Sequence, residues 1–418
     1  MSEISSSGTK IAREASISFS GQMLGQLLRY FFNVSVARFL GVYFLGIYAI
    51  GNALIQILLS IAKLGLDGGI VRFVADLRVT SDLPTLRATI FRAALVALAG
   101  GVVTAAVLFW QADFVASRIF HFEGPDLGDA LRVMAWAIPL AAVATVCVSA
   151  SQGFKVIKHR VVALNVLPAM VMIAAYYLFI SFSRSTNTFT IPFLIAYGVS
   201  AIVAVMLLGR LVPLGIKPLV SPSPGLIRFS MPIMFTSVMG ILLYMSDIVM
   251  LGYFKGTIAT GLYQPAVRTA GFLGAFIVAL NAINGPFMAE FHAQKQLSKI
   301  KQILKLGGKW GLALVWPSFL FLYLYASKVL LLFGADFLQA RLILLVLAAG
   351  QVILALATGS ATLLMMTGRQ HLNLINSISV LAVNVVANII LIPKLGGLGA
   401  AYGSAIAMSL LTVMRLTE

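Results

Sequence analysis

The sequence predicts an all-α polytopic membrane protein, with about twelve transmembrane helices in two pseudo-symmetric six-helix lobes around a central cavity. The first observation is composition: 60% of residues are hydrophobic and only 10% are charged, whereas soluble domains carry about 25% charged residues. The second is a series of long apolar runs, and the third is a motif that recurs half a chain later. In lipid the backbone must satisfy its own hydrogen bonds, which leaves only helix bundles and closed barrels.

The apolar runs fit helices and not barrel strands. They are continuous over about 18 to 25 residues, the length that spans a bilayer as a helix, and they lack the alternating ten-residue pattern of a barrel. The twelve predicted spans centre on residues 18–37, 44–63, 88–109, 131–150, 161–182, 190–208, 230–252, 265–288, 310–326, 342–364, 373–392 and 398–414.

The recurring motif is Phe-x-Gly-x4-Gly-x-Tyr. It begins at Phe39 and again at Phe254, which is 215 residues later. We call this spacing of 215 residues the repeat offset; it also relates Gly153 to Gly368. A half-length repeat in a very hydrophobic chain is typical of a transporter built from two homologous lobes with the binding site between them. We expect an N-terminal lobe at 1–208, a cytoplasmic linker at 209–228 and a C-terminal lobe at 229–418.

Basic residues predict the orientation of the spans. With the N-terminus in the cytoplasm, 20 of the 30 Lys and Arg residues lie on the cytoplasmic side or at its span edges and 7 lie outside, as the positive-inside rule requires. Both termini are then cytoplasmic. With six spans in each half, both lobes begin on the cytoplasmic side and have the same orientation in the membrane. The loops at 64–87 and 289–309 are predicted to contain amphipathic helices on the membrane surface.

Several functions are disfavoured by composition. The net charge of +17 is spread over many short loops, so nucleic acid is not expected as a partner. The four histidines show no metal-ligand spacing, and the single cysteine, Cys147, excludes an intrachain disulfide. No cofactor, metal or catalytic site is predicted. The only acidic cluster, in the outside loop near 110–129, has no paired catalytic spacing, and nothing indicates the selectivity filter of a channel.

Polar residues inside the predicted spans mark the candidate functional site, because such groups are costly in lipid. In span one, Gln22, Gln26, Arg29 and Asn33 are four, three and four residues apart and therefore share one helix face. This face must contact protein or water. At the repeat offset, span seven carries a looser polar stripe that includes Tyr244 and Asp247.

We predict that these stripes line the cavity. The candidate substrate-binding residues are Arg29, Gln26, Asn33, Asn52, Tyr244, Asp247, Arg268 and Asn281. Arg29 and Arg268 would bind an anionic group such as a pyrophosphate through their forked donors. The alternatives are interhelical hydrogen bonds for the amides and snorkelling for the arginines. Asp247 would pair with an arginine or take part in cation coupling.

Five stretches together resemble a known family. They are residues 37–48 (ARFLGVYFLGIY), 65–73 (GLDGGIVRF), 152–154 (QGF), 244–247 (YMSD) and 396–401 (GGLGAA). The pattern is similar to that of the Wzx-type oligosaccharide flippases, which belong to the multidrug/oligosaccharidyl-lipid/polysaccharide (MOP) exporter superfamily. The resemblance implies a V-shaped cavity, alternating access, and a positive cavity residue on the first helices, for which Arg29 fits best.

The resemblance also implies a function and a location. The substrate would be an undecaprenyl-pyrophosphate-linked oligosaccharide, moved from the cytoplasmic to the periplasmic leaflet of the bacterial inner membrane for O-antigen, lipopolysaccharide or exopolysaccharide synthesis. Membrane lipid, a polysaccharide polymerase and chain-length proteins would be partners, and coupling to an H⁺ or Na⁺ gradient stays open. Many such flippases have fourteen spans, so a chain of twelve would be a shorter subgroup, the product of a truncated gene or a different relative, with the core transport unit intact in each case.

Two other transport functions remain as alternatives. A cation-coupled multidrug exporter of the same superfamily would need acidic cavity residues, and Asp247 is the one clear mid-membrane acid. A lipid II flippase would share the cationic cavity. The basic Arg29 favours an anionic substrate over a cationic drug.

Overall fold

The computed structural model describes residues 2–80, 82–182, 184–212 and 225–417. These residues form helices joined by short turns and contain no strand. The α-helices are α1 (Ser2–Ala62), α2 (Leu66–Val79), α3 (Leu83–Phe114), α4 (Asp126–Ala135), α5 (Ala137–Gly153), α6 (Lys158–Arg160), α7 (Leu167–Ile180), α8 (Asn187–Gly209), α9 (Leu226–Ala293), α10 (Leu297–Leu331), α11 (Arg341–Ala355), α12 (Ser360–Met366), α13 (Gln370–Leu395) and α14 (Gly397–Thr417). Two π-helical turns, Val115–Ile119 and Val161–Val166, and a 3-10 helix, Ala335–Ala340, complete the described part.

Ten helical segments of the described part are long and apolar enough to cross a membrane. Two of them, within α1 and α9, are 45 and 60 residues long, or about 68 and 90 Å at 1.5 Å per residue, against a hydrocarbon core of about 30 Å. Each is interrupted by a glycine with non-helical backbone angles and so consists of two helices. The ten segments therefore give the twelve predicted spans, and the chain is a multi-pass membrane protein.

The two interrupting glycines are related by the sequence repeat. Gly41 has φ 85° and ψ −175°, and Gly256, the same position of the second motif, has φ 76° and ψ −169°. This region of backbone space is accessible to glycine and strained for other residues. The two halves thus use the same residue and the same backbone geometry to join their first two spans, which supports the internal repeat read from the sequence.

The second glycines of the motif bring these junctions together. A Cβ on Gly46 would overlap the carbonyl oxygen of Thr257, and a Cβ on Gly261 would overlap the carbonyl oxygen of Val42. The two contacts are equivalent by the repeat. In each, the second glycine of one motif faces the residue that directly follows the interrupting glycine of the other motif. Glycine is required at both positions because the backbones approach too closely for any side chain.

The chain divides into two compact units, Met1–Phe32 with Gly51–Ile241, and Asn33–Ile50 with Leu242–Glu418. In the first unit, α5 packs against α3 and α8, and α7 packs against α8. In the second, α13 and α14 form a hairpin, and α14 also packs against α11. The lobe limits at 208 and 229 stay a prediction, and residues 213–224 of the predicted linker, including the basic Lys217, lie outside the described residues.

Both of the longer cytoplasmic loops contain helix, as predicted. The loop at 64–87 contains α2, and in the loop at 289–309 the residues from Leu297 onward form the first turns of the 35-residue α10. No proline interrupts the helix before Pro317, so the basic segment continues directly into the membrane span. The position of these helices on the membrane surface stays a prediction.

The tenth predicted span, 342–364, is a discontinuous helix. It consists of α11 and α12, which are separated by a turn ending at Gly359, where φ is 98°. Irregular backbone at membrane depth needs partners from neighbouring helices. Asn281 supplies one, as its Oδ1 accepts a hydrogen bond of 2.8 Å from the backbone N–H of Gly359.

Candidate functional site

Arg29 lies half-buried on α1 and contacts the start of the fifth span. Its Nη1 donates a 3.3 Å hydrogen bond to the backbone carbonyl of Asn165, which belongs to the π-helical turn Val161–Val166. Such turns distort the regular hydrogen-bond ladder and recur at functional sites. The contact makes Arg29 at least an interhelical bridge of the first unit, and its predicted role in anion binding stays a prediction.

The rest of the span-one stripe becomes more buried along the helix. Gln22 is exposed and donates to the Ser18 hydroxyl at 3.0 Å, Gln26 is half-buried, and Asn33 is 1% exposed. In span two, Asn52 is also buried, and Gln56, one turn further on, donates to the Tyr197 hydroxyl at 3.2 Å. A graded stripe of this kind is consistent with a face that turns from solvent into protein.

Arg268 and Asn33 are brought together by Gln264, a buried residue with no exposed area. With the Gln264 amide oriented so that its oxygen faces the guanidinium, this oxygen accepts from Nε of Arg268 at 3.0 Å and from Nη2 at 3.2 Å. The orientation follows from chemistry, because guanidinium nitrogens can only donate. The Asn33 amide lies 3.2 Å from the same atom of Gln264. All three residues belong to the second unit.

Asp247 is the centre of a second cluster in that unit. It is 8% exposed, and its carboxylate accepts from the Tyr263 hydroxyl at 3.0 Å, from Nδ2 of Asn384 at 3.1 Å and from Nδ2 of Asn388 at 2.8 Å. The Ser404 hydroxyl also donates to it. Four spans therefore meet at this carboxylate, namely those that carry Asp247, Tyr263, the two asparagines and Ser404.

The predicted arginine partner of Asp247 is not found. In the part of the chain that the structure describes, no Lys or Arg forms an ion pair with this carboxylate, and all four donors are neutral. A buried carboxylate without a countercharge is costly, and it stays charged only where polar donors or a bound cation stabilise it. The Oδ1 atom of Asn388, buried beside it, has no hydrogen-bond partner among the described residues.

The amides of the cluster turn their nitrogens to the carboxylate. Nδ2 of Asn384 and of Asn388 donate to Asp247, and Oδ1 of Asn384 accepts from the Ser246 hydroxyl at 2.8 Å and from Nδ2 of Asn388 at 3.1 Å. Carboxylate and amide oxygens suit hard cations, so the groups open to a cation or a proton are the carboxylate and Oδ1 of Asn388. Within the described ranges, no group of three or more His, Cys, Asp or Glu residues could hold a metal ion.

The two remaining candidates lie apart from these clusters. Asn281 binds the Gly359 backbone and so stabilises the discontinuous span. Tyr244 is 58% exposed on α9, three residues before the buried Asp247, and it stays a predicted ligand.

Sequence reasoning left five contacting residues out of the candidate site, among them Tyr263, which the sequence marked only as the last residue of the second repeat motif. Gln264, Asn384 and Asn388 were visible as polar residues within spans, and the four-residue spacing of the two asparagines places them on one helix face. Ser404 had no sequence signal, because small hydroxyl residues are common in membrane helices and its partner is 157 residues away.

A family model described as "Polysaccharide biosynthesis protein" matches residues 11–292. Among curated proteins, the chain is similar to a probable low-salt glycan biosynthesis flippase of Haloferax volcanii. The two are 21% identical over 411 residues, which cover 97% of this chain and 82% of the relative.

Two solved structures are similar along nearly the whole chain. One is the lipid II flippase MurJ in an inward closed conformation, with 13% identity, a TM-score of 0.77, and coverage of 96% of this chain and 86% of that one. The other is a multidrug resistance MATE family transporter of the MOP superfamily in an inward-facing conformation, with 15% identity, a TM-score of 0.75 and 96% coverage of both chains. This likeness confirms the predicted all-α polytopic membrane fold.

Proposed function

We propose that this chain, which belongs to the polysaccharide biosynthesis protein family, is a flippase that moves a lipid-linked glycan across a membrane. The similarity to a glycan biosynthesis flippase over 97% of the chain supports the substrate class. The fold shared with MurJ and MATE transporters supports movement by alternating access. A glycan on a lipid carrier is joined to it through phosphate, so the protein needs an anion site at membrane depth.

The observation that carries the proposal is the setting of Arg268. It lies within the segment Leu226–Gly285, which is apolar enough to span a membrane, and it forms no ion pair with an acidic residue in the described ranges. A charged residue in a membrane span is a functional site by default. A guanidinium without a carboxylate partner is suited to bind phosphate oxygens.

The finer features of this function are also our proposal. The carrier is undecaprenyl pyrophosphate, transport runs from the cytoplasmic to the periplasmic leaflet of the inner membrane, and both termini are cytoplasmic. The glycan then serves surface polysaccharide synthesis, in which a polymerase and chain-length proteins use the transported unit. Arg29, in the first unit, keeps its predicted role in anion binding as part of this proposal.

A gene deletion tests the function. We expect loss of surface polysaccharide together with accumulation of the intact lipid-linked unit on the cytoplasmic leaflet, restored by the wild-type gene. A block in peptidoglycan synthesis with accumulated lipid II would favour the lipid II flippase. Normal polysaccharide with greater sensitivity to cationic drugs would favour the multidrug exporter and contradict the proposal.

We further propose that the Asp247 cluster couples transport to a cation gradient, either Na⁺ or H⁺. The support is a buried carboxylate held by neutral donors only, next to the unpartnered Oδ1 of Asn388. Transport in proteoliposomes should accelerate when a Na⁺ or a pH gradient is imposed, and the ion that is active identifies the coupling. Equal rates with and without both gradients would contradict this role.

A further inference from the structure

The amide of Gln264 links two of the candidate residues, and we propose that it is a positioning residue for the anion site. It holds the guanidinium of Arg268 in the orientation that binds the phosphate group of the transported lipid. The inference rests on the proposed function, because it assigns Gln264 a role in the same site. Gln264 does not contact the substrate in this proposal and acts only through Arg268.

The first argument is the geometry of the contact. One acceptor, the Gln264 oxygen, receives hydrogen bonds from both Nε and Nη2 of Arg268, at 3.0 and 3.2 Å. Two bonds from adjacent guanidinium nitrogens fix the plane of the group as well as its position. The opposite edge of the guanidinium, which carries Nη1, has no hydrogen-bond partner within the part of the chain that the structure describes.

The second argument is burial. Gln264 has no exposed area and Asn33 is 1% exposed, whereas Arg268 is only half-buried. The amide is therefore a fixed part of the interior, and the guanidinium is the end of the network that a ligand can reach. An arginine on a flexible stem loses rotamer entropy when it binds an anion, and a preformed orientation reduces that cost.

The third argument is charge. A neutral amide can orient a guanidinium without cancelling its positive charge, whereas a carboxylate at this position would form an ion pair and compete with the phosphate. In the described ranges no Asp or Glu forms an ion pair with Arg268. The network therefore holds the cation in place and leaves its charge available.

Asn33 extends the network to the first span. Its Oδ1 lies 3.2 Å from the Gln264 atom that accepts from Arg268, and since two oxygens cannot form a hydrogen bond, the Asn33 amide turns together with that of Gln264 and donates through its nitrogen. A buried amide must have its hydrogen bonds satisfied, so the orientations of the two amides are coupled. We therefore place Asn33, predicted from sequence as a cavity ligand, one step behind Gln264 in the same positioning network.

The test is the affinity for undecaprenyl pyrophosphate of the purified full-length protein in detergent, measured by native mass spectrometry, with undecaprenol as the phosphate-free control. Inorganic pyrophosphate is titrated in parallel to separate recognition of a lipid headgroup from recognition of free phosphate. The variants are Arg268→Gln, Arg268→Lys, Gln264→Leu, Gln264→Glu and the double variant Gln264→Leu with Arg268→Lys. Melting temperatures without ligand report on folding.

We expect Gln264→Leu to weaken binding of undecaprenyl pyrophosphate about tenfold or more, since hydrogen bonds to charged groups are among the strong ones, and to leave undecaprenol binding unchanged. Lysine keeps the charge at 268 but cannot make the forked contact. In the Arg268→Lys background, Gln264→Leu should therefore change affinity less than about twofold, because the interaction it removes is already absent. If the leucine variant fails to fold, Gln264→Glu tests the inference in its place. It should weaken binding of undecaprenyl pyrophosphate at least as much, because the new carboxylate would cancel the positive charge of Arg268.

Three results would overturn the inference. If Arg268→Gln leaves binding of the lipid pyrophosphate unchanged, the anion site of the proposed function is wrong, and the positioning role with it. If Arg268→Gln weakens binding but Gln264→Leu and Gln264→Glu do not, the function stands and the positioning role is wrong. If Gln264→Leu has the same effect with Arg and with Lys at 268, Gln264 acts through packing alone.

Discussion

The Asp247 cluster has a counterpart in the N-terminal half, formed by the residues one repeat offset earlier in the sequence. The cluster is polar, whereas its counterpart is apolar. Asp247, Asn384 and Ser404 form a hydrogen-bonded polar centre, whereas the counterpart positions hold Phe32, Ala169 and Phe189, all of them buried and apolar. Phe32 packs edge-on against Tyr176, with ring centroids 5.5 Å apart. The N-terminal half thus uses these positions for packing, and the C-terminal half uses them for a buried charge.

The backbone junctions, in contrast, are the same in both halves. Gly41 and Gly256 share positive φ values, and Gly46 and Gly261 make reciprocal close contacts. The repeat therefore preserves the features that set helix geometry, while the side chains inside each half have diverged. The buried carboxylate at these positions therefore belongs to the C-terminal half, and the symmetric junction is structural.

The largest expected effect is on the symmetric junction. Gly46→Val or Gly261→Val should each destabilise the protein by at least about 3 kcal/mol, since a side chain would overlap a backbone carbonyl that cannot move alone. Thermal unfolding of the purified variants in detergent measures this loss. The matched control is Gly240→Ala, where an added Cβ meets nothing within 4 Å. If valine at one of the two sites leaves the stability unchanged, the two glycines do not contribute equally to the stability of the junction.

The next effect separates the two halves. Asp247→Asn is nearly isosteric and should lower gradient-driven transport about a hundredfold, equivalent to about 2.7 kcal/mol, because the only charge of the cluster is lost. Its melting temperature should fall little, since the Tyr263 and Ser404 hydroxyls, which donate to one carboxylate oxygen, can instead accept from the amide nitrogen that replaces it. Transport in proteoliposomes and thermal unfolding are measured on the same preparation. Unchanged transport would mean that this carboxylate is structural, as Phe32 is in the other half.

Asn388→Leu makes the C-terminal cluster more like its counterpart, where the residue at the repeat offset is Ile173. The change removes one donor to Asp247 and the unpartnered Oδ1. We expect about a tenfold weaker apparent affinity for the coupling cation, equivalent to about 1.4 kcal/mol. The measurement is the transport rate against cation concentration. An unchanged half-saturating concentration would exclude Asn388 as a ligand.

The smallest effect is expected at Tyr244, which the repeat offset relates to Arg29. Its side chain is largely exposed, so Tyr244→Phe should change stability by less than about 0.5 kcal/mol. Because Tyr244 is a predicted substrate ligand, loss of the hydroxyl should slow transport about fivefold, as for the loss of one hydrogen bond. The same two assays check both values, and unchanged transport with normal folding would contradict the ligand role.

The sequence was sufficient for the features that depend on spacing. The Phe-x-Gly-x4-Gly-x-Tyr repeat contains both helix junctions, and the apolar runs predicted twelve spans. Both are accessible from sequence because the length of an apolar run and the spacing of a motif are properties of the linear chain. The four-residue spacing of polar residues in span one placed Arg29 and Asn33 on one face of the helix.

The features that the sequence missed depend on contacts between distant residues. Gln264 was read as one more polar residue of span eight, since nothing local shows that it faces both Arg268 and Asn33. An arginine partner was one of the two alternatives for Asp247, the other being cation coupling, and the neutral donors that it has instead come from residues 16 to 157 positions away. The span after Arg341 was predicted to be continuous, and the break before Ser360 is stabilised by Asn281 from another helix.

The most direct test of the central claim is transport of a fluorescent undecaprenyl-pyrophosphate-linked disaccharide in proteoliposomes, read as the label reached by an external quencher over time. Wild-type protein and Arg268→Gln are reconstituted at equal density, beside protein-free liposomes. We expect exchange between leaflets with the wild-type protein and a rate near that of empty liposomes with the variant. Equal rates for the two proteins would contradict a role of Arg268 in carrying the lipid-linked anion, and no exchange with either would contradict the flippase itself.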